Sequence, residues 1–226
     1  MDVEAEFVSV TTLMCEPSRA IMLWNLLDGR AYTAGELAGF ANISSSAASN
    51  HLLKLLRGGI VKAEAQGRHL YYSFAKPEVA YAVESLAILI NPGKKKEKNT
   101  ITPVSSIRFC RSCYDHLAGY VGVKITEQLE LSRYLEKSGQ LYNVTPEGWN
   151  WFARLEIRKS DFTNTRRPLT RQCLDWSERR PHLAGQLGAV MFARMLELGW
   201  LKRAKHSREV TLTMKGKTQL YNLLGI

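Results

Sequence analysis

Long hydrophobic runs are missing from this chain. No stretch of eighteen or more apolar residues occurs in its 226, so no membrane-spanning helix is expected. Cysteine is scarce. Four of them (Cys15, Cys110, Cys113, Cys173) in a chain of this size make a poor disulfide framework, and a reducing cytoplasm is the simpler setting. The acidic start, Met1 to Glu6, carries no signal-peptide pattern. A glycine-rich phosphate cradle and a nucleophile elbow are both absent, which argues against an enzyme. Cys113 or Cys173, His116 or His182, and Asp115 or Asp175 do contain the types for nucleophile, base and orienting group, but with nothing further to support catalysis.

The composition, 45% hydrophobic and 23% charged, is that of a globular protein long enough for two domains. The formal net charge of +10 is unevenly placed: residues 1–92 carry −2, residues 93–106 carry +3 and residues 107–226 carry +9. The chain therefore reads as a domain over 1–92, a basic linker over 93–106 and a second domain over 107–226. Asn91-Pro92-Gly93 marks the passage into the linker and the run Lys94-Lys95-Lys96-Glu97-Lys98 lies within it, helix breakers followed by a solvated tether. Although the first part is not basic as a whole, Asn42 to His69 holds four cations against Glu64 alone.

That local excess sits on a pattern. Ser44 can cap a helix running to about Arg57, where Gly58-Gly59 supplies the stop. Ala48, Leu52, Leu55 and Leu56 make its buried stripe. The opposite face carries Ser46, Asn50, Lys54 and Arg57, flanked by Ser45, Ser49 and His51, and the helix has no carboxylate. Short hydrogen-bonding groups followed by cations suit a DNA major groove. Val61 to Ala65 and His69 to Phe74 then alternate about Gly67 as a short hairpin with Arg68 and His69 at its tip. Upstream, Phe7 to Leu27 reads as a helical region interrupted near Pro17, with Ile21, Trp24 and Leu26 or Leu27 on one side. Thr33 and Glu36 make a capping box for a helix over Ala34 to Phe40, and Asn42 marks the turn. Two helices joined by such a turn are the helix-turn-helix signature. Pro77 opens a last helix with Val79, Val83, Leu86 and Ile90 along one stripe, too apolar for a free surface. With the first helix it suits a dimer interface.

Pro17-x-Arg19, Ile21-x-x-x-Asn25-Leu26-Leu27, Glu36-Leu37-Ala38, Ser49-x-His51-Leu52-x-x-Leu55 and Gly67-Arg68-x-x-x-Tyr72 occur in this order and spacing. Together they resemble the winged-helix repressors of the ArsR type, over roughly residues 8 to 90. The resemblance implies a homodimeric regulator of transcription bound to a palindromic operator. It also implies that Ser46, Ser49, Asn50, His51 and Lys54 meet bases and phosphates, with Arg68 at the wing tip. For His51 a structural role supporting the helix is the alternative. Metal-sensing members carry paired cysteines in the helix before the recognition helix, or Asp and His on the last helix of the domain. Here Thr33 to Ala38 has no cysteine, and Pro77 to Ile90 offers only Glu78 and Glu84. Any sensor is expected elsewhere.

The second half contains an internal repeat. His116-Leu117-Ala118-Gly119-x-x-Gly122 recurs as His182-Leu183-Ala184-Gly185-x-x-Gly188, each preceded by a Cys and an Asp, Cys113 with Asp115 and Cys173 with Asp175. Val144-Thr145-x-x-Gly148 and Leu212-Thr213-x-x-Gly216 close the two copies. Each copy reads as helix, helix, turn, strand, helix, a degenerate winged-helix-like unit, and the whole chain as mainly α with small β wings. Similar extensions, with Cys113 to Gly119 and Cys173 to Arg179, occur in a longer subgroup of the same resembled family.

Cys110-x-x-Cys113-x-x-His116 at helical spacing would put three soft ligands on one face, with Cys173 or His182 as a fourth, so zinc is geometrically possible. A thiol sensor and a set of structural hydrogen-bonding pairs built on Asp115, Asp175 and the two histidines are the alternatives. No cofactor is required by the sequence, and the effector is an unidentified small molecule, thiol reagent or metal. Arg154, Arg158, Lys159, Arg166, Arg167 and Arg171 either extend a DNA footprint or make a solvated loop. Trp149, Trp151, Trp176 and Trp200 are core residues or line an effector pocket between the copies.

Overall fold

Pro17 divides the first helical stretch. Its missing N–H costs nothing at the start of a helix, so α1 (Val3–Cys15) ends before it and α2 (Pro17–Leu26) begins on it. The computed structural model describes residues 2–89, 106–163, 165–205 and 207–226, and divides the chain into two units, Met1–Ala87 and Ile88–Ile226. The lysine run at 94–98 and the expected linker, Ser106 apart, lie outside the described residues. Among the described residues no helix is long and apolar enough to cross a membrane.

In the first unit β1 (Tyr32–Thr33) leads into α3 (Ala34–Ala41). The capping box is formed: Thr33 N–H donates to Glu36 Oε2 at 2.8 Å, and Glu36 N–H to Thr33 Oγ1 at 3.3 Å. Asn42 ends α3 with φ +52, a left-handed conformation asparagine tolerates better than most residues. Then follow α4 (Ser45–Arg57), β2 (Val61–Gln66), β3 (His69–Phe74) and α5 (Pro77–Ile88). β2 and β3 pair antiparallel from Val61 opposite Phe74 to Gln66 opposite His69, and β1 joins the other edge of β3. Met22, Leu23, Leu26, Leu27, Leu37, Leu52 and Leu55 are fully buried, each contributing about 1.5–3 kcal/mol.

Two stripes differ from expectation, and on α5 the inner face is set by other residues. On α4, Leu56 is exposed, because it lies about 80° around the helix from Ala48. On α2, Ile21 is exposed and Met22 and Leu23 take its place. On α5 the buried face is Ala80, Val83, Glu84 and Ala87, while Leu86 is exposed and Ile90 lies outside the described residues. Small residues allow close helix packing on that inner face, and the exposed Leu86 belongs to the stripe assigned to a dimer interface.

The second unit corrects the reading of the repeat. After α6 (Ser106–Phe109), each copy is hairpin, helix, hairpin, helix, not helix, helix, turn, strand, helix. The first has β4 (Arg111–Cys113), β5 (His116–Ala118), α7 (Gly119–Leu131), β6 (Leu135–Ser138), β7 (Leu141–Val144) and α8 (Pro146–Phe152). The second has β8 (Arg171–Leu174), β9 (Pro181–Ala184), α9 (Gly185–Glu197), β10 (Leu201–Arg203), β11 (Val210–Leu212) and α10 (Met214–Leu224). Thr145 and Thr213 cap α8 and α10, accepting from Gly148 N–H at 2.9 Å and Gly216 N–H at 3.0 Å.

The copies interlock. The first hairpin of each is stitched to the second hairpin region of the other: Val210 N–H donates to Cys110 O at 3.0 Å, and Gln172 N–H to Gln140 O at 2.9 Å. One hydrophobic core runs through both, with Leu117, Val121, Ile125 and Leu129 from one copy and Leu183, Leu187, Met191 and Met195 from the other.

The second glycine of each repeat motif has a packing reason. A Cβ at Gly122 would stand 2.6 Å from Leu117 O, and one at Gly188 2.5 Å from Leu183 O, so each helix lies directly against the end of its own hairpin. Gly39 in α3 has open space around the same position. Gly122→Ala and Gly188→Ala are therefore expected to destabilise the protein by about 1–3 kcal/mol, and Gly39→Ala to stabilise it by about 0.5–1 kcal/mol, both read from urea unfolding. Equal effects at the three positions would contradict this packing.

Candidate functional site

The outward face of α4 is built by its inward one. Ala48, Leu52 and Leu55 are buried, which leaves Ser45, Ser46, Ser49, Asn50, Lys54 and Arg57 exposed along the other side. Ser44 caps the helix, its Oγ accepting from Ala47 N–H at 3.2 Å. Ser49 Oγ donates to Ser45 O at 2.8 Å, and the Ser44 and Ser46 hydroxyls lie 3.0 Å apart. Lys54 and Arg57 fall in the last turn, where the helix dipole favours cations. On the wing, Gly67 (φ +59) and Arg68 make the two-residue turn, and Arg68 and His69 are exposed. Glu64, the carboxylate of this region, is paired with Lys62 at 2.5 Å.

His51 stands apart from this face. Its Nδ1 lies 3.3 Å from Glu16 Oε2 and 3.4 Å from an Arg19 nitrogen, and the side chain is mostly buried. Of the two sequence readings, this placement favours the structural one. Glu16 is the N-cap of α2 and accepts from Ser18 N–H at 3.1 Å and Arg19 N–H at 2.9 Å. Burial raises its pKa, but those two donors together with His51 and Arg19 outweigh that and hold it below the ordinary carboxylate value. Nothing in the sequence marked Glu16 except its place before Pro17.

In the second unit the structure assembles a different set from the one at helical spacing. Residues 111–118 are a hairpin, in which Cys113 and His116 are directly paired across the strands, and Cys173 and His182 are paired likewise in the other copy. The ligand atoms of these four lie within 4.8 Å of one another. Cys110 is not among them. It is buried in the hydrophobic core, and burial pushes its thiol up to about 12. Of the expected set, Cys110, Cys113 and His116 with Cys173 or His182 as a fourth, the structure brings together all but Cys110. The reason is the turn at Tyr114 (φ +56) and Asp115, which folds the chain back where a helix was read.

Cys113 Sγ and Cys173 Sγ are 3.9 Å apart, well beyond a disulfide bond length of about 2.05 Å. The two imidazole rings are 5.1 Å apart between centroids. Each histidine faces an aspartate through Nδ1, His116 with Asp115 at 3.3 Å and His182 with Asp175 at 3.2 Å. Burial would lower the His182 pKa, yet Asp175 and the Cys113 sulfur hold it up at about 9; His116 is raised by Cys113 and Asp115 against the same burial. Asp115 is gripped by Arg167 at 2.5 and 2.9 Å, and Asp175 accepts from Arg111 and from Gly119 N–H, both at 2.8 Å. Arg111 and Arg167 were not singled out for these roles. The recurrence of Arg two residues before Cys, at 111 and 171, was the available signal.

Of the basic stretch, Arg154, Arg158, Lys159, Arg166 and Arg171 are exposed, whereas Arg167 is committed to Asp115. Trp151, Trp176 and Trp200 are buried, and Trp149 packs against Phe152 and Phe162. A cavity of about 580 Å³ in this unit is lined by Phe109, Tyr120, Lys124, Leu212 and Tyr221 among others, and no tryptophan contributes to it.

Glu16→Ala removes the α2 cap and the partner of His51. The expected loss is about 0.5–2 kcal/mol, read by thermal unfolding at neutral pH. Because the folded-state pKa is depressed, the contribution is present above the unfolded value and lost as pH falls through the folded one. Unchanged stability at neutral pH would contradict the arrangement.

No protein-family model matches the chain. Among curated proteins, it is 41% identical over 217 residues to the uncharacterized HTH-type transcriptional regulator YdfF of Bacillus subtilis, covering 96% of both chains. It is 32% identical over 87 residues to the HTH-type transcriptional regulator CmtR of Mycobacterium tuberculosis, covering 38% of this chain and 73% of that one. Among solved structures, HlyU from Vibrio cholerae is similar over 39% of this chain and 97% of its own, with 31% identity and a TM-score of 0.36.

Proposed function

The chain belongs to the family of HTH-type transcriptional regulators, and from that premise we propose that it is an ArsR-type winged-helix protein, a homodimeric cytoplasmic repressor that reads a palindromic operator through α4 and its wing. The observation that carries this reading is the exposed face of α4, where Ser45, Ser46, Ser49, Asn50, Lys54 and Arg57 project with no carboxylate among them. Asn50 suits the paired acceptor and donor of an adenine edge, and Lys54 and Arg57 suit phosphate or guanine. Arg68 and His69 at the wing add contacts to the flanking backbone. His51 acts behind this surface, fixing the helix through Glu16.

Support for the dimer comes from α1. None of its thirteen residues is buried, although Val3, Phe7, Val8 and Val10 are on it, and Phe7 is 68% exposed. Such a face is covered when a second copy packs on it. A two-fold dimer sets two recognition helices about one duplex turn apart, which is why a palindrome is the matching site. The second unit is the place of the response: a change in its thiols, or in a metal they hold, shifts operator affinity by a coupling energy of about 1–3 kcal/mol.

The test is duplex binding at fixed salt by fluorescence anisotropy. Lys54→Ala is expected to weaken binding to all sequences and to lower the salt-dependence slope by about one. Asn50→Ala is expected to cost about 1–3 kcal/mol at one base position and relax the preference there. Both variants should unfold like the parent protein, since both side chains are exposed. Parental affinity in both would overturn the assignment of α4.

A further inference from the structure

We propose that the second unit holds one tetrahedral zinc ion between its two copies, ligated by Cys113, His116, Cys173 and His182. Two thiolates and two imidazoles are the donor set of a closed structural zinc site, and tetrahedral geometry with that set selects zinc over calcium or magnesium. The geometry fits. With a zinc–sulfur bond of about 2.3 Å, two sulfurs of a tetrahedron stand about 3.8 Å apart, and Cys113 Sγ and Cys173 Sγ are separated by 3.9 Å. All four donor atoms lie within 4.8 Å of one another.

Two further observations point to an ion. His116 Nε2 and His182 Nε2 are buried and have no hydrogen-bond partner in the protein, a costly arrangement for imidazole nitrogens. Each of these histidines has Nδ1 beside a carboxylate, His116 hydrogen-bonded to Asp115 at 3.3 Å and His182 at ion-pair distance from Asp175, 3.2 Å, without hydrogen-bond alignment. That is the orienting contact metal-bound histidines make, and it leaves Nε2 as the donor to the ion. The carboxylates are themselves fixed, by Arg167 and by Arg111 with Gly119 N–H.

The site differs from the positions at which the resemblance places metal ligands in the first domain, since α3 and α5 lack them. Its four ligands come as one cross-strand Cys–His pair from each copy. Four protein donors leave no open position for a substrate, so the ion is a clamp that holds the copies together. The thiols bind as thiolates and release their protons as the metal enters.

The experiment uses the full chain purified without added metal. Elemental analysis is expected to give one zinc per chain, and X-ray absorption two sulfur and two nitrogen donors. Replacement of the zinc by Co2+ should give the intense visible spectrum of a tetrahedral site with thiolate charge transfer. Cys113→Ser and Cys173→Ser lose the metal, whereas Cys15→Ser retains it. Asp115→Asn, which keeps all four ligands, lowers metal affinity about 10–100-fold. Should the cysteine variants fail to fold, the donor set and cobalt spectrum of the unaltered protein decide alone. A protein that neither carries zinc nor yields a tetrahedral cobalt spectrum overturns the proposal, as does any other donor set.

Discussion

Arg19 is a buried guanidinium, and a charge removed from water must find acceptors or destabilise the fold. It finds them at the end of the preceding helix, donating to Leu13 O at 2.5 Å and Thr12 O at 3.0 Å. Those carbonyls belong to the last turn of α1, where helix carbonyls begin to lack intrahelical donors. The same side chain lies beside Glu16, which caps α2, and beside His51 of α4. Three helix segments are thereby fixed at one polar corner. The apolar face of α4 sets which side of the helix is buried, and the corner sets where along α1 and α2 it rests. What projects from the other side of α4 follows from both.

The second unit solves the same problem twice over. Its core is shared between two copies of one motif, and each copy's first hairpin is hydrogen-bonded to the other's second hairpin region. Asp175 concentrates the polar part of that arrangement. It accepts from Arg111 and Gly119 of the first copy and, through Oδ1, from the backbone N–H of Ser177 and Glu178 in its own. Burial would raise its pKa, yet His182 and Arg111 hold it far below the ordinary carboxylate range. The two Cys–His pairs meet beside it. A regulator whose second half is one interlocked body has a natural place for a binding event to be felt as a whole.

Much of the first unit was legible because its signals are local. Ser44, the Thr33–Glu36 box and Asn42 act on backbone groups within four residues, and their sequence positions became the helix ends. The hairpin about Gly67 is equally local. The inner face of α5, with Ala80, Val83, Glu84 and Ala87, carries few large apolar side chains and so left little mark in the hydrophobic period, which follows instead the stripe assigned to a dimer interface. In the second unit the left-handed conformation at Tyr114 carries no sequence mark, so a hairpin was read as a helix. The four-residue cluster was hidden by unequal spacing: a two-residue turn separates Cys113 from His116, whereas the residues 174–181 separate Cys173 from His182. The repeat was visible in the residues themselves, but the cross-pairing that joins its copies is long-range and was not.

The central claim is that α4 and the wing, presented twice by a dimer, read DNA sequence. Selection of bound duplexes from a randomised pool by the full chain tests it most directly. The account predicts enrichment of an inverted repeat whose half-site centres lie about 10–10.5 base pairs apart. Recovery of an unenriched pool, or of isolated half-sites bound as tightly as the repeat, would contradict it.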